Sequence, residues 1–254
     1  MNAAKVVHRN SLVFWRAWRG SILLSVVSPV LFLTAMGLGL GSLVESDAAA
    51  FKGVGYLAFF STGMLAANAM QSGIFSATYP LLNKIMWQRN YEAMLATPLT
   101  VTDILVGELS WIGLSLAQQT IPFFAAISLF RIFDSPVAVL AVPVAILTGL
   151  GCAAVTSALT ATLERDEAYT WVFRFVVTPL FLLSGTFFPV DSLPDWARTV
   201  AQFTPLYHGI ELVRQLTVLE FSAASAAGHL VYLLVFLALG TWLALHNLTK
   251  RLIT

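Results

Sequence analysis

Cysteine and charge are both scarce in this chain of 254 residues. The single cysteine, Cys152, can neither close an intramolecular disulfide nor build a cysteine zinc cage. Set in Gly149-Leu150-Gly151-Cys152-Ala153-Ala154, it reads as a small packing residue. Charged residues make up 11% of the sequence, where a soluble domain carries roughly 25%. The net charge of +1 makes no case for nucleic acid, a partner that demands a basic face. Catalytic signatures are missing as well. There is no Gly-x-x-x-x-Gly-Lys-Ser/Thr phosphate loop, so the chain is not expected to hydrolyse ATP itself. Neither a His-Glu-x-x-His metal motif nor a Gly-x-Ser-x-Gly nucleophile turn occurs. The four histidines, His8, His208, His229 and His246, are scattered, and no spacing supports a Ser184–His208 nucleophile–base pair.

What is present is apolar surface. Hydrophobic residues account for 58% of the chain, with 18 Phe and 7 Trp among them. One soluble domain of this length cannot hide that much behind so few charges, which leaves a polytopic membrane protein. A spanning helix needs roughly 20 apolar residues. Six runs qualify: Ser21–Gly41, Val54–Tyr79, Ile104–Phe130, Val137–Leu163, Trp171–Phe188 and Leu230–Leu248. No run alternates apolar and polar residues long enough for a barrel strand, so the expected class is all-α. The first run is too long for a signal-peptide core of roughly 7–15 residues and reads as a retained span.

With the N-terminus inside, Lys5, Arg9, Arg16, Arg19, Lys84, Arg89, Arg165, Lys250 and Arg251 are cytoplasmic. Lys52, Arg131, Arg198 and Arg214 are outside, and Arg174 lies within a span. Nine against four favours cytoplasmic termini. Residues 1–20 read as an interfacial helix, with Val6, Val7, Val13, Phe14, Trp15 and Trp18 opposing a basic side. A positive flank that only sets topology is the plainer alternative, and the two are compatible. No internal repeat or separate soluble domain interrupts residues 1–254.

The loop over residues 81–103 draws a helix from Lys84 to Ala96, a stop at Pro98 and a new start at Thr100. Proline disfavours helix at Thr97. Thr100 followed by Asp103 has the spacing of a capping box. A rigid knuckle there suits something that pushes on a span, although a well-capped loop without a partner has the same pattern. The outer region, residues 189–228, carries Phe187, Phe188, Trp196, Phe203 and Tyr207 in or beside it, divided by Pro189, Pro194 and Pro205. It reads as half-helices dipping back from the surface, either a gate or a lid that does not move. Among polar residues at depth, Asn68, Gln71, Gln118 and Gln119 are candidates for a translocation pathway or for plain interhelical hydrogen bonds. Glu108 and Arg174 read as structurally paired, Arg174 sharing a helical face with Glu167. The Glu164-Arg165-Asp166-Glu167 run reads as a solvated turn.

Three stretches carry a family resemblance. They are Arg89, Tyr91-Glu92-Ala93-Met94-Leu95, Thr97-Pro98-Leu99 and Asp103-Ile104-Leu105-Val106-Gly107-Glu108; Leu183 through Pro194; and Phe203 through Arg214. In this order they resemble the ABC-2 type export permeases, notably those for lipo-oligosaccharide nodulation factors and the daunorubicin-type drug exporters. The resemblance implies an inner-membrane permease of a prokaryote that binds no cofactor itself. It would pair with a second permease copy and two ATPase chains, which hold ATP and Mg. Arg89, Tyr91, Glu92, Met94, Leu95, Thr97, Pro98 and Asp103 would couple to the ATPase. Phe187, Phe188, Pro189, Pro194, Trp196, Pro205 and Tyr207 would form the outer gate. An ATP-independent channel or an intramembrane enzyme is the rival reading.

Overall fold

The computed structural model describes residues 3–15, 27, 30–31, 33–35, 51, 53–88, 90–130, 132–133 and 136–253. The expected first span, Ser21–Gly41, lies largely outside the described residues, as does Arg89. The described secondary structure is entirely helical. It comprises α1 (Ala3–Phe14), α2 (Tyr56–Ser76), α3 (Tyr79–Met86), α4 (Asn90–Leu95), α5 (Val101–Leu129) and α6 (Ala141–Thr160). A 3₁₀ turn, Pro136–Leu140, leads into α6. Then follow α7 (Glu167–Val172), a π-helical stretch (Phe173–Val177), α8 (Thr178–Leu183), α9 (Asp195–Gln202), α10 (Pro205–Thr217) and α11 (Ala223–Ile253).

Among the described residues, three helices are long and apolar enough to cross a membrane: Val101–Leu129, Pro136–Thr160 and Ala223–Ile253. They coincide with the expected third, fourth and sixth spans. The expected second span is α2, whose 21 residues include Ser61, Thr62, Asn68, Gln71 and Ser72. That polarity is tolerable because α2 is enclosed by protein, with Phe59, Phe60, Ala66, Ala67 and Met70 fully buried. The expected fifth span is interrupted by the π turn and ends at Leu183, short of Phe188.

The core sits where α2, α6 and α10 meet, and small residues let them approach. A Cβ on Gly73 would lie 2.3 Å from the Gly149 carbonyl oxygen, and one on Gly209 would lie 2.3 Å from Thr148 Oγ1. Phe60, Met70, Ile127, Leu206, Ile210 and Leu233 fill the rest of this cluster. A second cluster, at the end of α2 that leads into α3, joins Leu81, Ile85, Tyr91, Ile104, Leu105, Ala244 and Leu248. There Arg251 donates to the carbonyls of Thr160, Ala161 and Leu163, capping α6. By contrast α11 turns Val231, Leu234, Val235, Leu239 and Trp242 outward. An apolar outer face with a protein-filled inner one is the pattern of a helix solvated by lipid.

Candidate functional site: a knuckle and a hairpin at opposite ends of the bundle

The knuckle between α2 and α5 is more broken than its sequence suggests. Instead of one helix over Lys84–Ala96, α3 closes at Met86 and α4 opens at Asn90. The Gln88 N–H reaches back to the Asn83 carbonyl at 3.0 Å, the wrap of a helix that is ending. Asn90 donates to the Gln88 side chain across the break. The restart is as expected. Thr100 Oγ1 accepts from the Asp103 N–H at 3.1 Å, and Asp103 Oδ2 accepts from the Thr100 N–H at 3.2 Å.

Buried charge fixes the knuckle to the bundle. Glu108, on α5, is 3% exposed. Its Oε2 lies 2.6 Å from Lys84 Nζ on α3 and accepts from Asn10 Nδ2 on α1 at 3.2 Å. One carboxylate therefore ties three elements. Gly107 clears the way, because a Cβ there would meet Val6 Cβ at 2.6 Å. So α1 packs on α5 through Val6 and Asn10 and turns Leu12 and Val13 outward, with Trp15 exposed just beyond it. Glu108 is indeed paired, as its cost in an apolar bundle requires. Arg174 is not. It is exposed, and among the described residues no ion pair joins it to Glu167. The π turn upsets the α periodicity between them, and seven residues are two turns of rise.

Of the coupling candidates, Tyr91 is 1% exposed and turned into the bundle. Burial, then the Glu108 carboxylate, pushes its phenol well above the usual tyrosine range. Met94 and Leu95 pack on the second cluster. Glu92, Thr97, Pro98 and the neighbouring Trp87 form the exposed crest. The expected set thus divides into anchors and outward contacts, a division that residue type alone does not reveal.

At the other end of α2, the Ser184–Pro189 turn and α9–α10 form a packed hairpin. Gly185 takes φ +88°, a conformation that favours glycine. Phe187 sits edge-on to Phe181 at 5.1 Å between centroids and tilts over Phe60 at 5.6 Å. Pro189 and Pro205 are buried and Phe188 and Tyr207 half-buried, whereas Pro194 and Trp196 are exposed. Along α9, Trp196, Val200 and Phe203 present an outward apolar stripe while Ala197 and Ala201 face in. Thr204 caps α10 by accepting from the Tyr207 N–H at 3.2 Å. Ser184 Oγ contacts the Leu180 carbonyl and Thr204 Oγ1, and His208 contacts His229, so Ser184 and His208 are not brought together.

The residue missed in this region is Arg214, which charge counting assigns to an outer loop. It is 1% exposed. Its Nη2 donates to the Phe59 carbonyl at 3.0 Å and the Gly185 carbonyl at 2.7 Å. The guanidinium carbon stands 3.5 Å from the Phe59 ring centroid, and Glu211 is 3.6 Å away. A single side chain binds α10, the hairpin and α2 together. Its sequence signal was the i,i+3 pair Glu211–Arg214 set among Ile210, Leu212 and Val213.

The pathway candidates stand on α2 and α5. Ser72 Oγ donates to Gln119 Oε1 at 2.8 Å, and Gln119 Nε2 donates to the Ser115 carbonyl at 3.2 Å. Gln119 therefore makes the interhelical hydrogen bond of the plainer reading. Asn68 and Gln71 are half-buried on α2, Asn68 one turn before Ser72, and Gln118 is half-buried on α5. Elsewhere an open cavity of about 420 Å³ is lined by Val144, Leu147, Leu212, Leu216, Ala226 and Leu230, among other apolar side chains. Such a wall suits hydrocarbon and offers nothing to a sugar. No group of three or more potential metal-ligating side chains occurs among the described residues.

Known proteins are similar in sequence to nearly the whole of this chain. Nodulation protein J of Rhizobium leguminosarum bv. viciae is 35% identical over 254 residues, covering 99% of this chain and 95% of its own. Its counterpart in Rhizobium meliloti is 33% identical over 84% of this chain and 80% of its own. The inner membrane transport permease YadH of Escherichia coli is 26% identical over 94% of this chain and 91% of its own. The ABC-2 type transporter model matches residues 4–218, which takes in α1, the knuckle and the hairpin. A helical membrane chain with a full-length match and both landmark regions inside it is a member of the ABC-2 type transporter family.

Proposed function

We propose that this chain is the permease subunit of an ATP-driven exporter whose ATPase is a separate polypeptide. Six spans would cross the inner membrane of a prokaryote with both termini cytoplasmic, α1 lying in the inner interface and α9–α10 re-entering from outside. Two copies would pair, each receiving one ATPase on its knuckle, with ATP and Mg held by the ATPase. The cargo class is an amphiphile: a lipid-linked saccharide, a glycolipid or a hydrophobic drug.

One observation carries this reading. The exposed crest of Trp87, Glu92, Thr97 and Pro98 is backed by a buried ion pair that locks it to α5 and α1. A surface held this rigidly passes displacement into the bundle instead of absorbing it. Closure of the ATPases would push the knuckle. The first, second and fifth spans would then reshape a pathway past Asn68, Gln71, Gln118 and Gln119 to a gate at Phe187, Phe188 and Tyr207.

Affinity purification from the native host tests the assignment. A co-purifying chain with Walker motifs, whose hydrolysis falls on charge reversal at Arg89 or Glu92 while insertion is unchanged, supports it. Export activity that persists with no ATPase present overturns it in favour of a channel or an intramembrane enzyme.

A further inference from the structure

His208 and His229 came from the sequence as scattered, unassigned histidines, and the fold brings them together. His208 lies in the first turn of α10 and His229 in the second turn of α11. Their Nδ1 atoms are 2.8 Å apart and their ring centroids 5.0 Å apart. Tyr232 stacks on His208 with centroids 3.7 Å apart, and its hydroxyl donates to the Phe203 carbonyl. Tyr207 stands edge-on to both imidazoles. Both histidines are half-buried.

Two imidazole nitrogens at this distance need a proton between them. In the neutral pair one ring donates and the other accepts. One added proton leaves that bond intact, because the cation donates and the neutral ring accepts. A second proton, taken from the aqueous phase, must occupy the accepting Nδ1 itself. Two N–H groups and two positive charges then face each other at the former bond. We propose that His208 and His229 form a proton-operated latch between α10 and α11, closed while one proton bridges the rings and released when each ring carries its own.

The surroundings favour this. Glu211, the nearest carboxylate on α10, is paired with Arg214, and Asp191 acts on Tyr207. On α11 the facing titratable groups are His229 and Tyr232. From α9, Gln202 contributes a backbone hydrogen bond to His208. Burial first, and the His229 imidazole second, hold His208 below the usual histidine range. The sign follows: the closed contact is complete above that range and is lost as pH falls through it. Protons on two interacting imidazoles belong to the pair and not to either ring alone. Its members sit in the hairpin end of the bundle, so the device would sense the proposed outer side whatever the cargo.

Double electron–electron resonance tests the latch on the full chain in nanodiscs of phosphatidylethanolamine and phosphatidylglycerol. Spin labels go on Gln202→Cys and Ala224→Cys, both exposed positions, in a Cys152→Ala background. Lowering the pH from neutral to about one unit below the ordinary imidazole value should lengthen the distance. His208→Asn and His229→Asn, which keep polarity and take no second proton, should abolish the change. An unchanged distance with both histidines present, or the same lengthening in both variants, overturns the proposal. Nitrogen chemical shifts of the two native imidazoles provide a readout that needs no variant. Two steps, the second below the ordinary range, support the latch; two independent titrations at ordinary values overturn it.

Discussion

The knuckle buries the Glu108 carboxylate and the hairpin buries the Arg214 guanidinium, and the two charges are met in opposite ways. Glu108 is met by a full opposite charge from another helix and by an amide from a third. Arg214 is met chiefly by two backbone carbonyls and an aromatic face, with Glu211 at a looser 3.6 Å. A carboxylate clasped by Lys84 and Asn10 ties the knuckle to two other helices. A planar guanidinium wedged between carbonyls has fixed geometry and few alternatives. The knuckle is thus held by side chains from separate helices, and the hairpin chiefly by backbone carbonyls.

Substitutions ranked by expected effect can break this contrast. Arg214→Ala strands Glu211 and two carbonyls, and should cost about 3–5 kcal/mol, the range for removing one partner of a buried pair. The check is thermal unfolding in detergent. Arg214→Lys should recover little, since a lysine lacks the planar fork. Glu108→Gln should cost less, about 1–3 kcal/mol, because the amide still accepts and Lys84 can reach solvent. The double exchange Lys84→Glu/Glu108→Lys should restore part of what the single reversals Lys84→Glu and Glu108→Lys lose, read as a coupling energy in a double-mutant cycle. If Glu108→Gln proves more damaging than Arg214→Ala, the contrast is reversed. Thr100→Ala removes the cap of α5 and should cost about 1 kcal/mol, seen as faster amide exchange in the first turn of α5. At the exposed crest, Glu92→Lys should leave thermal stability unchanged and lower only ATP hydrolysis by the proposed ATPase partner.

The legible parts of the fold share one physical basis. Long apolar runs announced α5, α6 and α11 because hydrocarbon admits no unpaired backbone group. The Thr100–Asp103 box was legible because its hydrogen bonds span three residues of one chain segment. The break at Trp87–Gln88 was not, since Lys84 through Ala96 are mostly good helix formers and only packing of Ile85 and Tyr91 onto α5 demands two directions. Tyr91 shows the same limit in the site: its side chain is compatible with docking a partner or filling a core, and the fold uses it to fill a core.

The sequence by itself determined that this is a helical membrane protein without its own phosphate loop, where its long helices run and where the knuckle restarts. Those properties depend on composition and on contacts a few residues apart. Only the tertiary structure decided that Glu108 joins α1 to the knuckle, that Arg214 is buried rather than solvated, and that His208 faces His229. Each depends on atoms brought together from separate helices, 98 residues apart for Asn10 and Glu108 and 155 for Phe59 and Arg214. A local pattern carries no record of such distances; the packing of small residues among α2, α6 and α10 sets them.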